Sequence, residues 1–270
     1  VALYTLSDFG AVSLLRYETF TWAIYQQYQS AFDRSIAAVL SLLLVLVALL
    51  ILVMEARTRG RTRYHRSGGG ASRPLRLVRL GGWRWPAALF CGAVVLVALV
   101  MPMGVLAYWL VRGISAGQPL LDLWGATLNS LTASVLAGVF TAAASVPVAA
   151  LIVRYPGALS WVVERLSYTG YALPGIVVAL ALVFFGVQLA RPIYQTIWLL
   201  LLAYVVLFFP VALGATRASM LQISPGLEEA ARSLGRTPLQ TMVTVTLPML
   251  RPGLLAGGAL VFLVTMKELP

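Results

Sequence analysis

Glu229-Ala230-Ala231-Arg232-Ser233-Leu234-Gly235, with Val245-Thr246-Leu247-Pro248 further along, forms a polar loop punctuated by glycine and proline between two long apolar runs. The runs around it decide the fold. A hydrocarbon core about 30 Å thick takes roughly 20 mostly apolar helical residues. Runs of that kind cover Ala31–Met54, Pro86–Val111, Thr127–Val153, Tyr168–Ala190 and Ile193–Gly214, and a last one begins near Gly253 and continues to Pro270. Unpaired backbone groups are costly in lipid and no barrel-like alternation is present, so the spans are helices. The expectation is an all-α integral membrane protein, a multi-span bundle of about six transmembrane helices carrying one elaborate polar loop.

Composition agrees. Of 270 residues, 60% are hydrophobic and 11% charged, where a soluble domain carries about 25% charged residues. The mean hydropathy is +0.88. The formal charge of +11 is unevenly placed: nine of the 19 arginines lie between Arg57 and Arg84. Such a cluster beside apolar spans marks a cytoplasmic loop and a contact for anionic lipid headgroups. No nucleic-acid-binding motif surrounds it, so nucleic acid is not an expected partner. Cys91 lies in an apolar run and reads as a small buried apolar residue. His65 has no ligand partner at useful spacing, so a metal site there is not expected. No cofactor is implied.

With the Arg57–Arg84 loop placed in the cytoplasm, the loops alternate. The Arg112–Asp122 and Arg191–Pro192 connections fall outside; the Arg154–Arg165 and Arg217–Arg251 loops fall inside, and each inside loop is richer in arginine. Residues 10–30 mix polar side chains with Tyr17, Phe20, Trp22, Tyr25 and Tyr28, the mixture of an outer interfacial segment. Gly68-Gly69-Gly70-Ala71-Ser72 reads as a flexible hinge. Val1-Ala2-Leu3-Tyr4-Thr5 faintly echoes Val261-Phe262-Leu263-Val264-Thr265, aligning Asp8 with Glu268 as if two repeats were cut at equivalent points. The organisation expected is residues 1–54 as the end of a first repeat, 55–85 as an Arg-rich cytoplasmic linker, and 86–270 as a second repeat with its loop at 215–252.

Within that loop, Ser224-Pro225 opens a helix, with a capping hydroxyl followed by a proline whose missing N–H costs nothing there. Leu227, Ala230, Ala231 and Leu234 follow helical spacing and form one small apolar face. Glu228 and Glu229 occupy the first turn, at the positive end of the helix dipole. Gly235 suits a left-handed cap. Thr237-Pro238-Leu239-Gln240 then opens a second helix with a capping box, expected to end before Pro248. A helix merely resting on the bilayer surface would share much of this pattern.

The spacing narrows the choice. Glu229-Ala230-Ala231, three residues, Gly235, nine residues, then Val245-Thr246-Leu247-Pro248 resembles the signature cytoplasmic loop of binding-protein-dependent ABC importer permeases, with Val245 where isoleucine is usual. The resemblance extends over residues 123–270. Thr265-Met266-Lys267-Glu268-Leu269-Pro270 looks like the branch that imports ferric iron, and Thr5-Leu6-Ser7-Asp8-Phe9-Gly10 is similar to the same place in the first half of those fused, double-length chains. The resemblance therefore implies further residues before Val1 and after Pro270. Related branches carry thiamine, polyamines or other small solutes.

By that resemblance, residues 225–234 form a coupling helix that docks on a cytoplasmic ABC ATPase dimer, and a periplasmic solute-binding protein delivers the solute. Glu228, Glu229, Ala230, Ala231, Leu234, Gly235, Leu247 and Pro248 would belong to the coupling surface, with Glu229 pairing a basic group on the ATPase. No G-x-x-x-x-G-K-[ST] phosphate loop occurs, so the chain is not expected to hydrolyse ATP. Candidates for the solute path are Asp8, Pro174, Gly175, Pro210 and Glu268; intramembrane carboxylates are costly and often functional, and are hard ligands for a hard cation. Gly253–Gly257 reads as a small-residue helix-packing face. An ion-coupled carrier would need buried charges at mid-span, which these runs lack, and no cluster suited to enzyme chemistry is present.

Overall fold

The computed structural model of the chain describes residues 10–30, 35–58, 81–117, 123–170 and 173–268. Every regular element among them is helical. The chain divides into two compact units, Val1–Gly60 with Leu128–Pro270, and Arg61–Thr127.

In the larger unit, α1 (Gly10–Leu14), α2 (Phe20–Ser30) and α3 (Ser35–Thr58) lead the chain. The smaller unit holds α4 (Arg84–Val95), a π-helical turn (Leu96–Val100) and α5 (Met101–Ser115). The sequence continues with α6 (Leu123–Arg154), α7 (Ala158–Thr169), α8 (Gly175–Gln188), α9 (Ile197–Met220), α10 (Pro225–Ser233), α11 (Pro238–Thr241), a second π turn (Met242–Thr246) and α12 (Leu247–Met266). Four helices among the described residues are long and apolar enough to cross a membrane: Gly81–Ser115, Trp124–Arg154, Ile197–Met220 and Pro238–Met266. Ile36–Ile51 and Gly175–Gln188 are shorter apolar helices. The protein is an all-α membrane bundle, and its many exposed leucines, valines and phenylalanines face a solvent of lipid rather than water.

The larger unit is built on α6, α9 and α12. Ala149, Ile152, Leu213, Met220, Ile223 and Leu250 form one buried cluster at the end nearest the 225–241 loop. Ala137, Leu201, Phe208, Ala212 and Val261 form another further along the same three helices. Lipid is as apolar as leucine, so burial alone does not hold such helices together; close backbone approach and interhelical hydrogen bonds do. Both devices are present. A Cβ on Gly138 would come within 2.8 Å of the Gly258 carbonyl oxygen, and one on Gly257 within 3.3 Å of Ala212. The hydroxyls of Ser145 and Thr216 share a fully buried hydrogen bond of 2.7 Å between α6 and α9.

Several sequence expectations change. The run Tyr168–Ala190 is not one helix: α7 ends at Thr169, and α8 starts only at Gly175. Pro174 caps α8 in an extended conformation (φ −63°, ψ 137°), and a residue preceding proline is steered away from helical geometry. With 14 residues, α8 is about 21 Å long, short of the hydrocarbon core. The second loop helix does not stop before Pro248 either. Helix runs on from Pro238 to Met266, because the π turn at 242–246 absorbs the register where Pro248 can donate no hydrogen bond. The same order, π turn then X-Pro, recurs at 96–100 and Pro102.

The segment 10–30 is more than an interfacial strip: Ile24 is fully buried with Leu44 of α3 and Ile176 of α8. Cys91, read as a buried filler, is exposed, as its unit offers α4 nothing to pack against. Asp8, His65 and the Gly68–Ser72 hinge lie outside the described residues.

Candidate functional site

The loop between α9 and α12 takes its shape from two local signals. At Ser224 the backbone is extended (φ −64°, ψ 130°) and Pro225 begins α10, but the Ser224 hydroxyl makes no capping bond, contrary to expectation. The conformation fixed by Pro225 starts this helix, not the side-chain cap. At its end, Gly235 adopts φ +85° and the Gly235 N–H donates to the Arg232 carbonyl at 2.9 Å. The second start is capped as expected. The Thr237 hydroxyl accepts the Gln240 N–H at 3.3 Å, and the Gln240 side-chain oxygen accepts the Thr237 N–H at 3.0 Å. Thr237→Ala should cost about 1 kcal/mol of local stability, read as faster amide exchange across residues 237–241 with the rest of the bundle unchanged.

α10 has two faces. Glu228 and Ala231 turn inward and are buried. Leu227, Glu229, Ala230 and Leu234 face outward, Leu234 being 84% exposed, and Leu239 beyond the bend is 74% exposed. The apolar face read from the sequence thus divides, with Ala231 holding the helix to the bundle and the others left uncovered. Leu247 and Pro248 lie in the first turn of α12, both partly buried.

The inward acid is held tightly. Glu228 Oε1 accepts from Arg154 Nε at 3.2 Å and Nη2 at 3.1 Å, and from the Thr246 hydroxyl at 3.1 Å. Arg154 Nη2 also donates to the Ile223 carbonyl at 3.0 Å. A cavity of about 100 Å³ adjoins this knot, lined in part by Arg154, Glu228, Arg232, Thr241 and Thr246. A second ion pair, Arg217 to Glu164 at 3.3 Å, joins α9 to α7 and is more exposed. The sequence assigns neither Arg154 nor Thr246 a role at this site. A lone arginine ending an apolar run was the available signal, but nothing in a linear reading ties it to an acid 74 residues away.

The remaining candidates lie elsewhere. Pro174 and Pro210 are buried, and the α7–α8 break sits against α9: a Cβ on Gly170 would lie 2.9 Å from the Val206 carbonyl oxygen and 3.1 Å from Pro210 Cγ, while one on Gly175 would meet Leu207. Glu268 follows the far end of α12, about 30 Å along that helix from the loop. Asp8 falls outside the described residues. Among the described residues no three His, Cys, Asp or Glu side chains gather where they could hold a metal ion.

Comparison with known proteins adds the context. Residues 123–269 match the family described as binding-protein-dependent transport system inner membrane component. The chain is 38% identical, over its whole length, to 54% of the Fe(3+)-transport system permease protein FbpB 2 of Haemophilus influenzae. Over 54% of its length it is 29% identical to 55% of the putative 2-aminoethylphosphonate transport system permease protein PhnV of Salmonella typhimurium. A similar share, 54%, is 30% identical to 68% of the molybdenum transport system permease protein ModB of Escherichia coli. The chain thus spans about half the length of the first of these relatives.

Proposed function

The chain belongs to the family of binding-protein-dependent transport system inner membrane components, and on that premise we propose that it forms part of the pore of an ATP-driven importer. It is a multi-pass inner-membrane protein. Its solute is ferric iron, handed over by a periplasmic solute-binding protein and released to the cytoplasm. The reading of iron rests on the identity of 38% across the whole chain to a protein named for Fe(3+) transport, against 29–30% over about half the chain for relatives named for other solutes. ATP is hydrolysed on a separate cytoplasmic dimer of ABC ATPase subunits, and α10 is the helix those subunits grip. The organisation is that of a second permease repeat over residues 86–270, preceded by a basic linker and the end of a first repeat.

One observation carries the coupling role: an otherwise well-anchored helix leaves Leu227, Ala230 and Leu234 uncovered beside a left-handed bend. Small and apolar side chains there permit close approach, and Glu229 supplies a charge for a basic group on the partner. Pro174, Gly175, Pro210 and Glu268, with Asp8, mark the solute path in this proposal.

The test is uptake of radiolabelled ferric iron by cells lacking the gene, complemented by the full-length protein. Complementation should restore uptake, and excess molybdate, putrescine or 2-aminoethylphosphonate should not compete. Glu229→Arg should lower uptake several-fold with the protein still in the membrane, by loss of a charged contact in a buried interface. Unaltered iron uptake in the deletion strain would remove iron as the solute; normal uptake with Glu229→Arg would remove its docking role.

A further inference from the structure

Glu228 lies next to Glu229 in sequence yet faces the opposite way. Its Oε1 takes three donor bonds from two side chains, and the residue is 9% exposed. The groups it gathers come from separate segments: Arg154 ends α6, Thr246 ends the π turn that feeds α12, and Arg154 in turn holds the Ile223 carbonyl in the turn after α9. One carboxylate therefore fastens α10 to the ends of three long helices.

The backbone offers a less rigid connection. The covalent route from α10 to α12 turns at Gly235, where φ is +85° and an added Cβ would meet nothing within 4 Å, before it enters the helix that runs from Pro238 through the π turn to Met266. Glycine is the residue with the widest backbone freedom, so this joint transmits a push less firmly than a fixed side-chain link does. A buried, charge-assisted knot does the reverse: its donors are directional and its length is fixed. Replacing such a pair with apolar packing is often neutral or stabilising, so stability alone is a weak reason to keep it. The adjoining cavity of about 100 Å³ gives the knot room to shift as a unit.

We propose that Glu228 is a positioning residue, not a partner contact: through Arg154 and Thr246 it carries movement of α10 into α6 and α12. This rests on the reading of α10 as the helix gripped by an ATPase. It separates the roles of two neighbouring acids, Glu229 outward for docking and Glu228 inward for transmission.

The experiment uses the full-length protein, reconstituted in liposomes with its ATPase and solute-binding protein and loaded with ferric iron. Three quantities are read: ATPase subunits bound, ATP hydrolysed, and iron moved per ATP. E228Q should leave ATPase binding unchanged and hydrolysis within about twofold, while iron moved per ATP falls about tenfold. E228Q with R154Q should be no worse than either alone, as expected for partners in one interaction. R154K, which keeps the charge but loses the two-pronged geometry, should fall between wild type and E228Q. If E228Q fails to accumulate, T246V removes one donor without changing charge and should lower iron per ATP about twofold to threefold with binding intact. Wild-type coupling in E228Q, or in T246V where it stands in, would overturn the inference. Loss of the ATPase from the E228Q complex would also overturn it, since Glu228 would then be a docking contact. Failure of the unsubstituted chain to retain any ATPase would defeat the docking reading itself, and this inference with it.

Discussion

Gly235→Val should abolish uptake, to below about 1% of wild type, while leaving the protein folded in the membrane. The reason is conformational. Gly235 sits at φ +85°, and no atom lies within 4 Å of the position a Cβ would take. Space is not limiting; the left-handed backbone is, at about 1–2 kcal/mol for an ordinary residue and more for a β-branched one. Relieving that strain reorients α11 relative to α10 and redraws the outward surface carrying Leu234 and Leu239. A partner that grips a surface of fixed shape loses it when the bend opens. The argument also ranks substitutions: asparagine, which tolerates this region best, should retain the most uptake, alanine less, and valine the least. Uptake assays on membranes with matched protein levels provide the ranking. Valine performing as well as asparagine would show that the bend angle does not matter.

Gly253→Val should have a comparably large effect by another route, removing the protein from the membrane rather than uncoupling it. A Cβ on Gly253 would sit 2.4 Å from the Ser219 Cβ, 2.7 Å from its hydroxyl oxygen and 3.1 Å from the Ala215 carbonyl oxygen. No side chain fits without prising α12 from α9, which pack along most of their length. Overpacking of this kind costs about 1–3 kcal/mol in soluble cores. It should cost more here, since close packing is itself what associates helices in lipid. The expected result is a fall in accumulated protein to about a tenth or less, with a lowered melting temperature for whatever remains. Two further substitutions test the cause. Ser219→Gly removes the obstructing Cβ and should partly rescue Gly253→Ala, a coupling that distant sites would not show. Gly214→Ala, at a position of α9 where an added Cβ would meet nothing within 4 Å, should change little. Full accumulation of Gly253→Val would mean that the two helices do not meet as described.

These two glycines show how differently residues of one type were legible. Gly235 could be read from its neighbours, because a capped helix start at Thr237 and a helical face ending at Leu234 leave one position for a left-handed turn. Gly253 and Gly257 could be read as a small-residue stripe, but what they press against could not. The break in the Tyr168–Ala190 run was legible in principle from Pro174, yet a hydropathy reading averages over it. Pro248 misled in the opposite direction: a proline ordinarily stops a helix, and only the π turn before it lets α11 and α12 join.

Linear pattern determined the membrane class, the apolar helical stretches that became α3 to α6 and α9, and the loop with its bend, since length, hydropathy and capping act over one or two helical turns. The family follows from the spacing of a handful of residues in that loop. Tertiary structure decided which way each side chain in α10 faces. A helix offers every direction in turn, and only the bundle beneath it fixes which are filled. Glu228 and Glu229 are chemically identical and adjacent. The arrival of Arg154 and Thr246 from distant parts of the chain sends one inward and leaves the other outside.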